Sequence, residues 1–217
     1  MAMREGVREG LCVLALAMVA ACPVGCGRSA APEATQAGTP SARVQRATAF
    51  PEPDVSGYSF SDVVFAQEPS VYVSGWKARA KSVTVTPQGA GLRCDVAGGR
   101  DTSGGQYGGI KFPVEGLKAL RLTMTFEHVE NIDAVIVDGC DAAGERVLRW
   151  RWLFGPGRLP QGSSTYTFVP GQPSRYFECQ QGGPDSGDSV RRVDVFLRLR
   201  VPGSRASLVL QKAEVAE

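Results

Sequence analysis

Two-residue alternation of apolar and polar side chains dominates the chain from about residue 54 onward. Leu120, Leu122, Met124 and Phe126 fall on one side of an extended segment, with Arg121, Thr123, Thr125 and Glu127 on the other. Val193, Val195, Leu197, Leu199 and Val201 alternate in the same way against Asp194, Phe196, Arg198 and Arg200. A period of two sends successive side chains to opposite faces of a strand, so each segment predicts a strand with one buried face. β-Branched and aromatic runs bounded by Gly, Pro, Asp and Ser predict further strands over residues 58–65, 71–80, 82–86, 92–96, 109–114, 132–138, 146–154, 165–169 and 206–215. Only residues 114–118 suggest a helical turn, and residues 138–145 read as a hairpin loop. The pattern predicts an all-β domain of roughly nine to eleven short strands, with turn signals spaced as in a β-sandwich.

The N-terminus follows a different pattern. Residues 11–21 are apolar, shorter than the about 20 residues a bilayer crossing needs, and follow Arg4 and Arg8 as the apolar region of a secretory signal follows its basic start. Glu5 and Glu9 dilute that charge. The run closes on Val19, Ala20, Ala21 and Cys22, a string that resembles the lipobox of bacterial lipoproteins. The resemblance implies a signal peptide over residues 1–21, cleavage before Cys22, diacylglycerol on its thiol and an acyl chain such as palmitate on its new amine. At about 0.8 kcal/mol per buried methylene, two or more chains hold a protein at a membrane where one holds it only marginally. Pro23, standing where a retention signal would place Asp, implies the outer membrane if the envelope has two. Cys26 is a second candidate for the lipid, made poorer by Pro23 before it, and an ordinary cleaved signal is the competing reading of the same residues.

Residues 27–53 are mostly Ala, Pro, Thr, Ser, Gln and Gly, with almost no large apolar residue before Phe50. Such a segment buries too little surface to offset ordering entropy. The expected organisation is therefore a signal peptide over residues 1–21, a lipidated disordered tether over 22–53 and one β-sandwich domain over 54–217. With 24 basic and 22 acidic residues and a net charge of +2, composition suggests neither a nucleic-acid partner nor a funnel for acidic substrates.

Candidate chemistry is sparse. The single histidine, His128, falls at a strand end, and no Gly-x-Ser-x-Gly string is present, so a Ser-His-Asp triad has no support. Asp133, Asp138, Asp141, Glu145, Glu178 and Asp194 could supply the carboxylate pair of a glycosidase, but their separation is not legible in the sequence. Gly104, Gly105, Gly108 and Gly109 lack the Lys and the helix of a phosphate loop and read as an irregular loop. Cys94, Cys140 and Cys179 lie in the domain and have no zinc-site spacing. An exported protein can keep a disulfide, and of the three pairings that these thiols allow, placement near strand ends favours Cys140 with Cys179. No cofactor is expected, although the acidic loops 138–145 and 185–188 could hold a structural calcium without following a calcium-loop spacing.

Arg149, Trp150, Arg151 and Trp152 form the most informative run. Alternation places the tryptophans on one side and both arginines on the other; with the aromatic side as core, the arginines face outward, and Arg198, Arg200 and Asp194 lie on the polar side of another strand. If those strands share a sheet, they make a polar platform able to bind sugar hydroxyls or carboxylates, with Trp76 and Tyr107 as loop aromatics that could stack on a sugar ring. Phe196 on that polar side predicts either an interaction surface or a second buried layer. The order of a Gly-rich early half, a strand pair over 132–154, the strand 196–201, Pro202 with Gly203, and a final strand over 208–215 resembles galactose-binding-like jelly rolls and carbohydrate-binding modules. That resemblance implies a jelly-roll β-sandwich and a carbohydrate partner. The expected function is a membrane-anchored envelope lipoprotein whose domain binds carbohydrate or another envelope component without catalysis. A structural lipoprotein that docks an envelope protein is the second expectation, and a glycan-processing enzyme the third.

Overall fold

The alternating segments become the strands of two antiparallel sheets. The structure is a computed structural model and describes residues 49–65, 71–72, 80–99, 106–153 and 159–217, all within the unit Gln45–Glu217. The strands are β1 (Ser61–Asp62), β2 (Val71–Tyr72), β3 (Ala80–Gln88), β4 (Gly91–Gly98), β5 (Gln106–Pro113), β6 (Ala119–Glu127), β7 (Ile132–Cys140), β8 (Arg146–Trp152), β9 (Ser164–Phe168), β10 (Phe177–Gln181), β11 (Arg192–Leu199) and β12 (Arg205–Ala216). The first sheet runs β3-β4-β12-β6-β9, with β1 beside the far end of β12, and the second runs β10-β8-β7-β11-β5-β2.

Between them lies the apolar set that the alternation marks. Leu120, Leu122, Met124 and Phe126 of β6 and Leu208 and Leu210 of β12 face Leu148, Trp150 and Trp152 of β8 and Val193, Val195, Leu197 and Leu199 of β11 in one buried cluster. Aromatic contacts join the sheets, with Phe168 of β9 centred 5.3 Å from Trp150 and 5.0 Å from Phe177. Such tilted and edge-on pairs add to simple burial. The domain is an all-β sandwich.

Several local readings differ from the expectation. The segment 114–118 makes no helical turn; Gly116 and Leu117 instead donate backbone hydrogen bonds to Val190 and Gly187. Gly108 and Gly109 lie within β5 and not in a loop, in register with Leu197 and Phe196; glycine is needed there because a side chain at Gly108 would strike the methyls of Val83 and Val96, and one at Gly109 the backbone of Val195 and Phe196. Strand β10, with the polar sequence FECQQ, carries too few apolar positions to have been predicted. Residues 49–53, expected in the tether, pack on the domain: Phe50 donates its N–H to the Arg175 carbonyl at 2.6 Å, and Pro53 is buried.

The hairpin between β7 and β8 is shorter than 138–145. Strand β7 continues through Asp138, Gly139 and Cys140, and the turn is closed by Asp141, whose Oδ1 accepts the Glu145 N–H at 2.9 Å. Gly144 at φ 83° takes the left-handed position there. Asp138, expected at the junction of strand and loop, thereby stands within β7 on a sheet face.

Candidate binding groove

The outer face of the second sheet is built in cross-strand rows, because antiparallel register partners share a face. One row carries Arg149 of β8, Asp138 of β7, Asp194 of β11 and Lys111 of β5. The next toward the hairpin carries Arg146, Cys140 and Arg192, and the next in the other direction carries Arg151, Ile136, Phe196 and Gly109. An open groove of about 630 Å³ lies over these rows, bordered by Tyr107 at one end and by Glu145, Arg146 and Gln181 at the other.

Its floor holds two carboxylates in neighbouring strands, each gripped by its own arginine. Arg149 donates from Nε and Nη2 to the two oxygens of Asp138 at 2.7 and 2.6 Å, and Arg192 does the same to Asp194 at 2.7 and 3.0 Å. Bidentate forks of this kind are the strongest side-chain pairs and fix the orientation of both groups. Asp138 and Asp194 are 5% and 2% exposed, whereas the arginine side chains are 24% and 33% exposed and reach the groove wall. Burial pushes the Asp138 carboxyl above the usual carboxylate range, against the pull of the Arg149 fork, and its neighbour Asp194 adds to the rise. The Cys140 thiol, buried beside Asp194 and donating to its Oδ2 at 3.6 Å, is pushed up to about 11, first by burial and then by that carboxylate. At the rim, Arg146 Nε donates to Gln181 Oε1 at 2.6 Å and the Gln181 amide donates back to the Arg146 carbonyl at 2.7 Å.

The predicted residues are sorted by this geometry. Arg149, Asp194 and Tyr107 line the groove. Arg151 shares the sheet face but sits in register with Glu178 of β10, outside the groove. Arg198 pairs with Asp133 at 3.0 Å and lies 6.0 Å from the Tyr107 ring centre. Arg200 falls beyond the end of β11, exposed, its N–H on the Asn131 carbonyl at 2.7 Å. Trp76, like Cys22, lies outside the described residues. The tryptophans of β8 are core, as alternation places them.

Phe196 is 3% exposed and joins Ala134, Ile136 and Tyr107 in a small second apolar layer on the outer face. The disulfide expectation is corrected: Cys140 and Cys179 are both free. Strand β8 separates them, and they point to opposite faces, Cys140 toward Asp194 and Cys179 toward the core. Among the described residues no group of three or more His, Cys, Asp or Glu side chains gathers to hold a metal ion, and Asp141 of the first acidic loop serves the hairpin turn. His128 stands exposed before a 3-10 turn, 3.7 Å from Glu130.

Sequence reasoning missed Arg192, Arg146 and Gln181, and placed Asp138 at the junction of strand and loop. Arg192 was within reach, because it stands two positions before Asp194 in the same alternation; Gln181 was hidden with β10. Chemically, the groove offers fixed N–H donors and carboxylate acceptors side by side, with an aromatic ring at one end.

No protein-family model and no curated protein matches the chain. Among solved structures, it is similar to the family 11 carbohydrate-binding module of a cellulosomal cellulase of Clostridium thermocellum, at 16% identity over 74% of this chain and 95% of that one, with a TM-score of 0.42. It is also similar to carbohydrate-binding modules of the β-sandwich superfamily, at 12% identity over 75% of this chain and 58% of that one, with a TM-score of 0.40. A sialidase is matched at 9% identity over 67% of this chain and only 16% of the enzyme, with a TM-score of 0.42.

Proposed function

We propose that this chain is an exported lipoprotein, anchored through Cys22, whose β-sandwich binds carbohydrate at the outer face of its second sheet without catalysis. The observation that carries the binding reading is the groove floor, where paired donors and acceptors are held rigidly under an open cleft with the Tyr107 ring at its end. Sugar hydroxyls both donate and accept, so they match such alternation, and an aromatic ring supplies an apolar face for a sugar ring. A glycosidase would need one carboxyl free to protonate the leaving oxygen and a second free to act on the sugar. Asp138 and Asp194, which face each other, are both engaged by arginine. Docking of a protein through an apolar patch around Phe196 is disfavoured by the burial of that ring.

The test uses the full-length chain carrying Cys22→Ser on a glycan array, followed by titration calorimetry. Binding should fall about tenfold or more in Tyr107→Ala and in Arg149→Lys, which keeps the charge but loses the planar fork. Absence of signal from every glycan would overturn the binding reading.

The anchor rests on the apolar run 11–21 and on Val19 to Cys22. Labelled palmitate should enter the wild type and not Cys22→Ser. Label that survives Cys22→Ser but is lost in Cys26→Ser would place the lipid on the other cysteine.

A further inference from the structure

Three arginines in one groove suggest an anion site, but their partners argue the reverse. Arg146, Arg149 and Arg192 share the lining with Glu145, Asp138 and Asp194, so acidic and basic groups are matched in number. Resting on the carbohydrate reading above, we propose that the groove selects uncharged sugars and excludes those bearing a carboxylate or sulfate, with Asp138 as the group that sets the exclusion.

Each guanidinium of the groove already has a partner within the protein. Arg149 and Arg192 each give the Nε and Nη2 edge, one of the two guanidinium edges that can fork a carboxylate, to an aspartate of the protein itself. A ligand carboxylate could take that edge only by leaving Asp138 or Asp194 buried without its counterion, which is strongly unfavourable. It would also bring a third negative charge to a floor where two carboxylates already stand in register on adjacent strands. A hydroxyl makes no such demand, since it can bridge a remaining N–H and a remaining carboxylate lone pair with both forks intact. Arg146 has its side edge committed in the same way, its Nε being given to Gln181.

Asp138 is the deciding group because Arg149, which it holds, lies on the side of the groove nearest the aromatic end, 6.0 Å from the Phe196 ring centre. Asp194 is tied in addition to the Cys140 thiol and lies deeper. Burial also favours the neutral form of the Asp138 carboxyl, so an uncharged amide at this position suits the fold.

The experiment prints neutral saccharides beside their uronate or sulfated counterparts, including hexagalacturonate and its methyl ester, in which a small methyl group removes each charge. The full-length chain with Cys22→Ser should bind the neutral member of each recognised pair at least about tenfold more tightly. Adding Asp138→Asn should narrow that ratio to about threefold or less, because the acidic member no longer meets a charged carboxylate there, even where the neutral member also loses an acceptor of the groove floor. Equal or tighter wild-type binding of acidic members would overturn the charge selection while leaving carbohydrate binding in place, as would a ratio unchanged in a folded Asp138→Asn protein. No binding to any saccharide would instead overturn the carbohydrate reading itself. If Asp138→Asn does not fold, the wild-type ratio decides together with salt: affinity for the neutral member should stay constant from low to physiological ionic strength, and a steep loss would count against the proposal.

Discussion

Trp150→Ala should lower the unfolding free energy by about 3–5 kcal/mol, the range for truncating a fully buried tryptophan. Trp150 is completely buried at the centre of β8, with Phe168 of the opposite sheet 5.3 Å from its ring centre. Its Nε1–H also reaches across to the Gln172 carbonyl at 2.8 Å, tying the sheet to the loop between β9 and β10. Truncation therefore removes a cross-sheet contact and a hydrogen bond together, and leaves a cavity that the neighbouring strands can close only in part. Trp150→Phe separates the two contributions: it keeps most of the apolar volume and loses the donor, so it should cost clearly less. Urea denaturation followed by far-UV circular dichroism measures both, and a loss below about 1 kcal/mol for Trp150→Ala would contradict the core position assigned to this ring.

Arg149→Ala should cost a comparable amount at neutral pH, about 3–5 kcal/mol, because it strips a buried carboxylate of its counterion. Asp138 is 5% exposed and takes both its strong hydrogen bonds from this one guanidinium. The pH dependence identifies the cause. In the intact protein burial already raises the Asp138 carboxyl, and Arg149 is the largest influence pulling it down, ahead of Arg146. Removing Arg149 raises it further. A carboxyl whose folded pKa lies above its unfolded value prefers the protonated form in the fold, so its unfavourable contribution is full above the folded pKa and fades as pH falls toward the unfolded value near about 3.9. The deficit of Arg149→Ala relative to wild type should therefore shrink on acidification, and a deficit constant between pH 7 and pH 4 would show that lost packing of the Arg stem, and not the stranded charge, is responsible. Asp138→Ala should cost less, because the arginine left behind is already about a quarter exposed and can turn to water.

The two experiments bear on different layers of the molecule. Trp150 and Arg149 are chain neighbours, yet one probes the contact between the sheets and the other probes the outer face of a single sheet. Their separation is a direct result of the period of two in β8, which the sequence states openly in Leu148, Arg149, Trp150, Arg151 and Trp152.

Much of the fold was legible for the same reason. Strands β6, β11 and β12 each carry four or more core positions and β8 carries three in strict alternation, and burial of one face follows from the pattern whatever the partner strand. Strand β10 was not legible, since a five-residue edge strand with Phe177 as its one fully buried side chain has little apolar signal to show. Phe196 showed that something covers the polar side of β11; that the cover is a second apolar layer with Ile136 and Tyr107 depends on β7 and β5 lying on either side.

The groove divides along the same line. Arg149 and Asp194 could be singled out one at a time, because each is a charged residue on the outward face of a strong strand. That Arg149 meets Asp138, and that Asp138 stands across from Asp194, depends on the order β8-β7-β11 and on a hairpin tight enough to keep Asp138 within β7. The Cys140 and Cys179 pairing failed on the same order, with β8 between them.

By itself the sequence determined the all-β class, the core face of the main strands and the outward placement of the arginines, because these follow from local periodicity and the hydrophobic effect. Tertiary structure alone decided which carboxylate meets which guanidinium, which thiols stay apart and where an open groove remains, because those depend on the register and neighbour order of strands far apart in the chain.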